Sequence, residues 1–179
     1  MDWSRRRMLG AASMVAVSAA APRLAQASTG VRKLGFHNLH TDEALDVAYW
    51  EDGAYVPDAL AAVNRVLRDF RTGDEHVISP RLLDLLNTLS ARLETGQRFQ
   101  VISGYRSPTT NAALHARSGE VATGSLHMLG EAIDIRVPGV ELTHLHDAAL
   151  SLGAGGVGYY PSSDFVHVDV GRVRRWSGS

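Results

Sequence analysis

Two short stretches hold side chains able to do metal chemistry. SLHMLGEAIDIRV, residues 125–137, sets His127 seven residues ahead of Asp134 with Gly130 between them. FVHVDV, residues 165–170, places His167 and Asp169 among valines. Side chains alternate between the faces of a strand. Ile133, Ile135 and Val137 therefore share one face and Asp134 points to the other; Val166, Val168 and Val170 oppose His167 and Asp169 in the same way. If the two strands lie in one sheet, Asp134 and His167 converge, and His127 can bend back over them from its loop. Two imidazoles and a carboxylate with a fourth position left open form a donor set for catalytic zinc. Such an ion lowers the pKa of a water to about 7 and polarises a carbonyl. Nitrogen and oxygen donors without sulfur suit zinc but do not exclude other transition metals. On the other side, a histidine in a strand is more often packed or solvated than metal-bound, and one H-x6-D spacing arises by chance in many chains. The spacing alone leaves the two readings balanced.

The remaining histidines read as structural or solvated. His144 and His146 sit two apart at a helix start and point in different directions, His37 and His40 lie in an extended region, His76 in a loop and His115 on a helix. GAGGVG, residues 153–158, resembles a dinucleotide loop only superficially, because no acidic ribose partner follows about twenty residues on within a βαβ unit. There is no cysteine, which excludes thiolate metal sites and thiol nucleophiles.

The elements that must position these residues read as one α+β domain. Leu45, Val47 and Tyr49 alternate with polar or small neighbours, and Glu51-Asp52-Gly53 is a hairpin-type turn. Pro57 opens a helix with Leu60, Val63, Leu67 and Phe70 on one face, broken by Arg71-Thr72-Gly73-Asp74. Ser79-Pro80 opens a second, with Leu82, Leu83, Leu86, Leu89 and Leu93 buried and Gly96 closing it. Phe99–Ser103 reads as a strand, Ser107-Pro108 as the cap of a helix reaching Ser118, and Thr143 as the cap of a helix with Leu145, Ala149 and Leu152 inward. Glycines 153, 155, 156 and 158 read as a turn, and Phe165–Val170 as the last strand. The expected sheet is small and mainly antiparallel, with the helices on one side.

The chain begins as an export signal. Ser4-Arg5-Arg6-Arg7-Met8-Leu9 is a basic segment of twin-arginine type, an alanine-rich apolar run follows to Ala21, and Ala25-Gln26-Ala27 is a small-x-small cleavage site. The run is too short to span a membrane. Residues 1–27 are expected to be removed, leaving 28–179 as a single periplasmic domain. Of 18 basic and 19 acidic residues, that segment takes four arginines and Asp2, so 14 and 18 remain and the formal charge is −4. Such a balance argues against nucleic acid or an anionic membrane as partner of the mature form. A domain of about 150 residues without disulfides can stand on its core alone.

S-x-H-x-x-G-x-A-x-D, carried by Ser125, His127, Gly130, Ala132 and Asp134, resembles the signature of the zinc D-alanyl-D-alanine metallopeptidases. SGYRSPTTN is similar to the arginine-bearing segment of that family. GGVGYYPSSDFVHVDVGRVRRW, with NLHT at 38–41 and RTGDEHVISPRLLDLL at 71–86, resembles its exported murein endopeptidase K type branch, so the likeness spans nearly all of the mature chain. The resemblance implies a hedgehog/D-Ala-D-Ala-peptidase-like fold, with His127, Asp134 and His167 as zinc ligands and Arg106 stabilising the developing oxyanion.

The proton acceptor is less well marked. Many relatives place a glutamate three residues before the last histidine ligand; here that position is Asp164, with a shorter reach. Asp169 shares the strand face of His167 and is the preferred base on geometry. It could instead be a fourth ligand or a partner that orients His167. The implied activity is hydrolysis of peptidoglycan cross-links at stem peptides, a murein DD- or LD-endopeptidase at work in cell-wall remodelling. A D,D-carboxypeptidase or dipeptidase on the same site would need a cation for a free carboxylate, for which Arg117 and Arg136 are available. A non-catalytic, zinc-stabilised cell-wall-binding module is the third reading.

Overall fold

The computed structural model describes residues 30–118 and 121–178. They form one eight-stranded sheet and four helices. The strands are β1 (Arg32–Asn38), β2 (Ala44–Glu51), β3 (Ala54–Tyr55), β4 (Phe99–Ser103), β5 (Ala132–Arg136), β6 (Gly156–Tyr160), β7 (Phe165–Asp169) and β8 (Arg174–Ser177). The helices are α1 (Pro57–Val66), α2 (Pro80–Arg92), α3 (Pro108–Ser118) and α4 (Leu142–Leu152). Across the sheet the order is β3-β2-β1-β4-β5-β7-β6-β8. The β1–β4 and β6–β8 pairs are parallel and the other five antiparallel. The sheet is thus larger than the small one expected.

One face of the sheet carries the core. Ile133 and Ile135 of β5 and Val166 and Val168 of β7 are fully buried in a cluster with Leu82, Leu83, Leu86 and Leu89 of α2 and Leu145 of α4. A buried leucine of this kind contributes about 1.5–3 kcal/mol. α1, α2 and α4 pack on this face. α3 departs from the expected one-sided arrangement. It is only weakly amphipathic, buries Thr110 and Asn111, and instead lines the cleft described below with Leu114 and Ser118.

Several boundaries differ from the sequence reading for local reasons. α1 ends at Val66, before Phe70, because the Leu67 carbonyl accepts from Tyr105 N–H (2.7 Å) rather than continuing the helix. Ser79 opens α2 through its backbone carbonyl, which accepts from Leu82 N–H, and its hydroxyl makes no capping bond. That helix ends at Arg92, ahead of Gly96, with Glu94 taking a positive φ of 50°. α4 starts at Leu142, so Thr143 sits inside its first turn. The glycine run expected as a turn contains a strand, β6, and Phe165–Asp169 is followed by a further strand, β8. Residues 1–27, the expected export signal, lie outside the described residues.

Candidate metal centre

The strand register brings the candidate residues together. Asp134 on β5 lies directly opposite His167 on β7. Their shared face is the one turned away from the aliphatic core, as the alternation of both strands requires. His127 arrives from a single 3-10 turn, Leu126–Leu129, whose start is capped by the Ser125 hydroxyl accepting from His127 N–H. The turn closes on Gly130, at φ 65°, where a Cβ would come within 2.2 Å of the Val77 carbonyl oxygen. Arg106 N–H donates to the His127 carbonyl, and Ser79 N–H to that of Gly130, so the turn is held at both ends.

Three ligand-type atoms meet at one point. His127 Nε2 lies 3.1 Å from His167 Nδ1 and 3.2 Å from Asp134 Oδ1, and His167 Nδ1 lies 2.8 Å from the same oxygen. All three residues are buried. The other ring nitrogens show which atoms carry protons. His127 Nδ1 is 2.7 Å from the Gly104 carbonyl oxygen, which only accepts, so Nδ1 is the donor and Nε2 presents a lone pair. His167 Nε2 is 3.1 Å from Asp169 Oδ2, so it donates to that carboxylate and Nδ1 presents its lone pair. With both rings neutral, two nitrogen lone pairs and a carboxylate oxygen therefore face one another with no donor between them. A cation satisfies all three, so the donor set fits a tetrahedral zinc with one position open.

The electrostatics agree with that arrangement. Burial pushes the His127 imidazole toward its neutral, ligating form, against the pull of Asp134. Burial works against ionisation of Asp134 as well, but the neighbouring histidines outweigh it and hold the carboxyl below the usual range. His167 goes the other way. Burial disfavours its charge, yet hydrogen bonds to Asp134 and Asp169 raise it. A ligand must be unprotonated to bind a metal ion, so metal binding here competes with protonation of His167.

Asp169 sits behind His167, not beside the open position. It is fully buried, and its oxygens accept from Gly156 N–H and Gly171 N–H (both 2.9 Å), from His167 Nε2 and from Arg174 Nη2 (2.7 Å). Burial opposes its ionisation, but the donors of His167, Gly156 and Gly171 hold it well below the usual carboxylate range. Both oxygens are occupied, which does not suit the proton acceptor preferred on sequence grounds; the orienting role left open there suits them. Asp164 stands at the β6–β7 turn at φ 54°, exposed, with its carboxylate on Arg136 Nη1. Arg136 follows Asp134 by two residues on β5, and Asp164 itself is not one of the clustered donors. Its neighbours Ser163 and Phe165 line the cleft.

Arg106 is buried beside Asp134. Its contacts are long: Nη2 is 3.5 Å from Asp134 Oδ2 and from Ser103 Oγ, Nη1 is 3.4 Å from Asn111 Oδ1, and Nε has no partner among the described residues. A guanidinium so loosely held retains donors for an incoming oxygen. The buried cluster lines a cleft of about 500 Å³, together with Leu114, Ser118, Val121, Tyr160, Phe165 and Trp176.

The segment carrying Arg106 is anchored by Asp69, which sequence reading passed over because an aspartate in a polar stretch gives no signal. Asp69 is buried and its carboxylate accepts from Arg71 N–H (3.0 Å) and Ser107 N–H (2.9 Å). Burial raises its pKa, but hydrogen bonds from Thr110 and Ser107 prevail and the net shift is downward. Asp69→Ala leaves the buried Ser107 N–H and the part-buried Arg71 N–H without this acceptor and should cost about 1–3 kcal/mol. A depressed carboxylate stabilises above its unfolded pKa of about 3.9 and loses that contribution as the pH falls through the folded value. The stability gap between wild type and Asp69→Ala, from urea melts, should therefore be constant near neutrality and shrink below about pH 4. A gap that widens on acidification would contradict this.

The other histidines lie elsewhere. His40 stacks on Phe70 (3.7 Å between ring centroids), His76 on Tyr105, and His115 Nδ1 meets the Val121 carbonyl. Residues 26–176 match the family model described as peptidoglycan L,D-endopeptidase MepK. The chain belongs to that family. Its relatives include the peptidoglycan L,D-endopeptidase MepK of Escherichia coli (strain K12), 42% identical over 178 residues and 98% of both chains. The probable peptidoglycan L,D-endopeptidase MepK of Haemophilus influenzae is 40% identical over 148 residues, covering 82% of this chain and 80% of that one. No solved structure matches the chain significantly. MepK family membership gives the cluster its context, since every donor in it falls within the matched residues.

Proposed function

We propose that the mature chain is a periplasmic zinc metallopeptidase that hydrolyses the L,D-type cross-links joining peptidoglycan stem peptides. Cell-wall endopeptidase function follows from family membership. The observation that carries the metal reading is the meeting of two imidazole lone pairs and a carboxylate in the lining of a cleft. His127, Asp134 and His167 would hold the ion. Zinc, when bound, supplies a Lewis acid for the scissile carbonyl and an acidified water.

The chain's own residues supply the rest. Arg106 donates to the oxygen of the scissile carbonyl as negative charge develops there. Asp164 is the acceptor for the proton of the attacking water and returns it to the leaving amine, once its carboxylate leaves Arg136. Asp169 keeps the His167 ring oriented.

Digestion of purified cross-linked muropeptides tests the reading. Product masses should show dimers resolved into monomers, with chelator abolishing the reaction. Release of a single terminal D-alanine, or no cleavage at all, would contradict it. No helix among the described residues is long and apolar enough to cross a membrane. Export by the twin-arginine route predicts that replacing Arg5, Arg6 and Arg7 together by lysine leaves precursor in the cytoplasm. Normal delivery of that triple variant would refute the route.

A further inference from the structure

The register of the last three strands explains the glycine run and points to an unassigned residue. Gly158 on β6 pairs with His167 on one side and with Trp176 on the other. Gly156 pairs with Arg174, and its N–H reaches Asp169. Because both positions lack a side chain, residues of β8 lean across β6 to β7. Trp176 lies over Gly158, its ring centroid 5.1 Å from that of His167. Arg174 passes over Gly156 to Asp169, Nη2 to Oδ2 at 2.7 Å and Nη1 to Oδ1 at 3.3 Å. There is no space to spare, since a Cβ on Gly156 would lie 2.4 Å from Asp169 Oδ2 and 2.6 Å from Arg174 Nη1.

We propose that Arg174 is a positioning residue for the metal centre, acting through Asp169 on His167. This rests on the zinc reading above. Asp169 has to remain a carboxylate in a fully buried place, with an oxygen aimed at His167 Nε2. Two backbone N–H groups hold Oδ1, but among the described residues Oδ2 has only His167 and Arg174. The fork-shaped guanidinium grips both oxygens and fixes the plane of the carboxylate, as a single ammonium could not. That plane sets which way the imidazole faces, and hence that Nδ1 rather than Nε2 is offered to the metal. The ring of Trp176, 4.9 Å beneath the guanidinium carbon, holds the arginine from its other side.

The test uses the complete mature chain and zinc alone, with no substrate. Zinc affinity is measured by competition with a chromophoric chelator, and the His167 tautomer by long-range nitrogen–proton NMR of the zinc-loaded protein. Arg174→Gln should weaken zinc about 10–100-fold, the usual effect of losing an outer partner of a ligating histidine. It should also broaden or shift the His167 signals while those of His127 stay in place. Arg174→Lys, which keeps the charge and one bond, should recover part of the affinity. Gly156→Ala, whose Cβ would press on both groups of the contact while leaving Arg174 and Asp169 themselves unchanged, should repeat the loss. In the double variant Arg174→Gln/Asp169→Asn the losses should not add, because both act through one contact. Zinc affinity in Arg174→Gln and Gly156→Ala within twofold of wild type would overturn the inference while leaving the zinc reading intact. A wild-type chain that binds no zinc would overturn both.

Discussion

Alanine at His127, at Asp134 or at His167 should each abolish stoichiometric zinc binding and reduce muropeptide cleavage to background. The three donors converge on one point, so removing any of them leaves two ligands where a stable site needs three. Neither Arg106 nor Asp169 can substitute, the first being a cation and the second already held by four donors. Metal binding to the folded state also raises its stability, by about 2.7 kcal/mol when free zinc is a hundredfold above Kd. The zinc-dependent rise in Tm should therefore vanish with the activity in all three variants. Full zinc occupancy in any two of them would remove the ligand assignment.

The two aspartates should separate cleanly. Asp164→Asn keeps the shape of the side chain but not its basicity, so kcat should fall by a factor on the order of 10²–10⁴ with zinc fully retained. Asp169→Asn should act through the metal instead. An amide that faces the His167 N–H or the Arg174 guanidinium with its own NH2 group loses the grip on the ring, and zinc affinity should drop about 10–100-fold. Excess zinc should restore much of the rate in Asp169→Asn and none of it in Asp164→Asn. If Asp169→Asn stays inactive at saturating zinc while Asp164→Asn turns over normally, the two roles are exchanged. Near-normal rates in both would mean that neither carboxylate takes the proton.

The parts of the site written in a local period were legible in the sequence. Alternation in AIDIRV and FVHVDV placed Asp134 and His167 on non-core faces, and the register sets them opposite one another. The leucines of α2 were plain for the same reason, being at helical spacing. What escaped depends on contacts distant in sequence. β6 is glycine-rich and reads as a turn, yet it is a strand paired with β7 and β8, and its glycines leave room for Arg174 and Trp176. β8, RRWS, is too short and too charged to give a strand signal. The preference for Asp169 as base came from counting faces correctly. Alternation cannot reveal that Gly156, Gly171, His167 and Arg174 already occupy its oxygens. Nor can helical periodicity reveal that the Leu67 carbonyl is taken by Tyr105, ending α1 early.

The central claim is that one ion, held by His127, Asp134 and His167, is required for cleavage. Zinc titrated into the metal-free mature chain, with the initial rate of muropeptide cleavage followed at each addition, tests it most directly. The rate should rise from background in proportion to added zinc and level off at about one equivalent per chain, as a single three-ligand site requires. Undiminished cleavage by the metal-free chain, or a fully loaded chain that cleaves nothing, would contradict it.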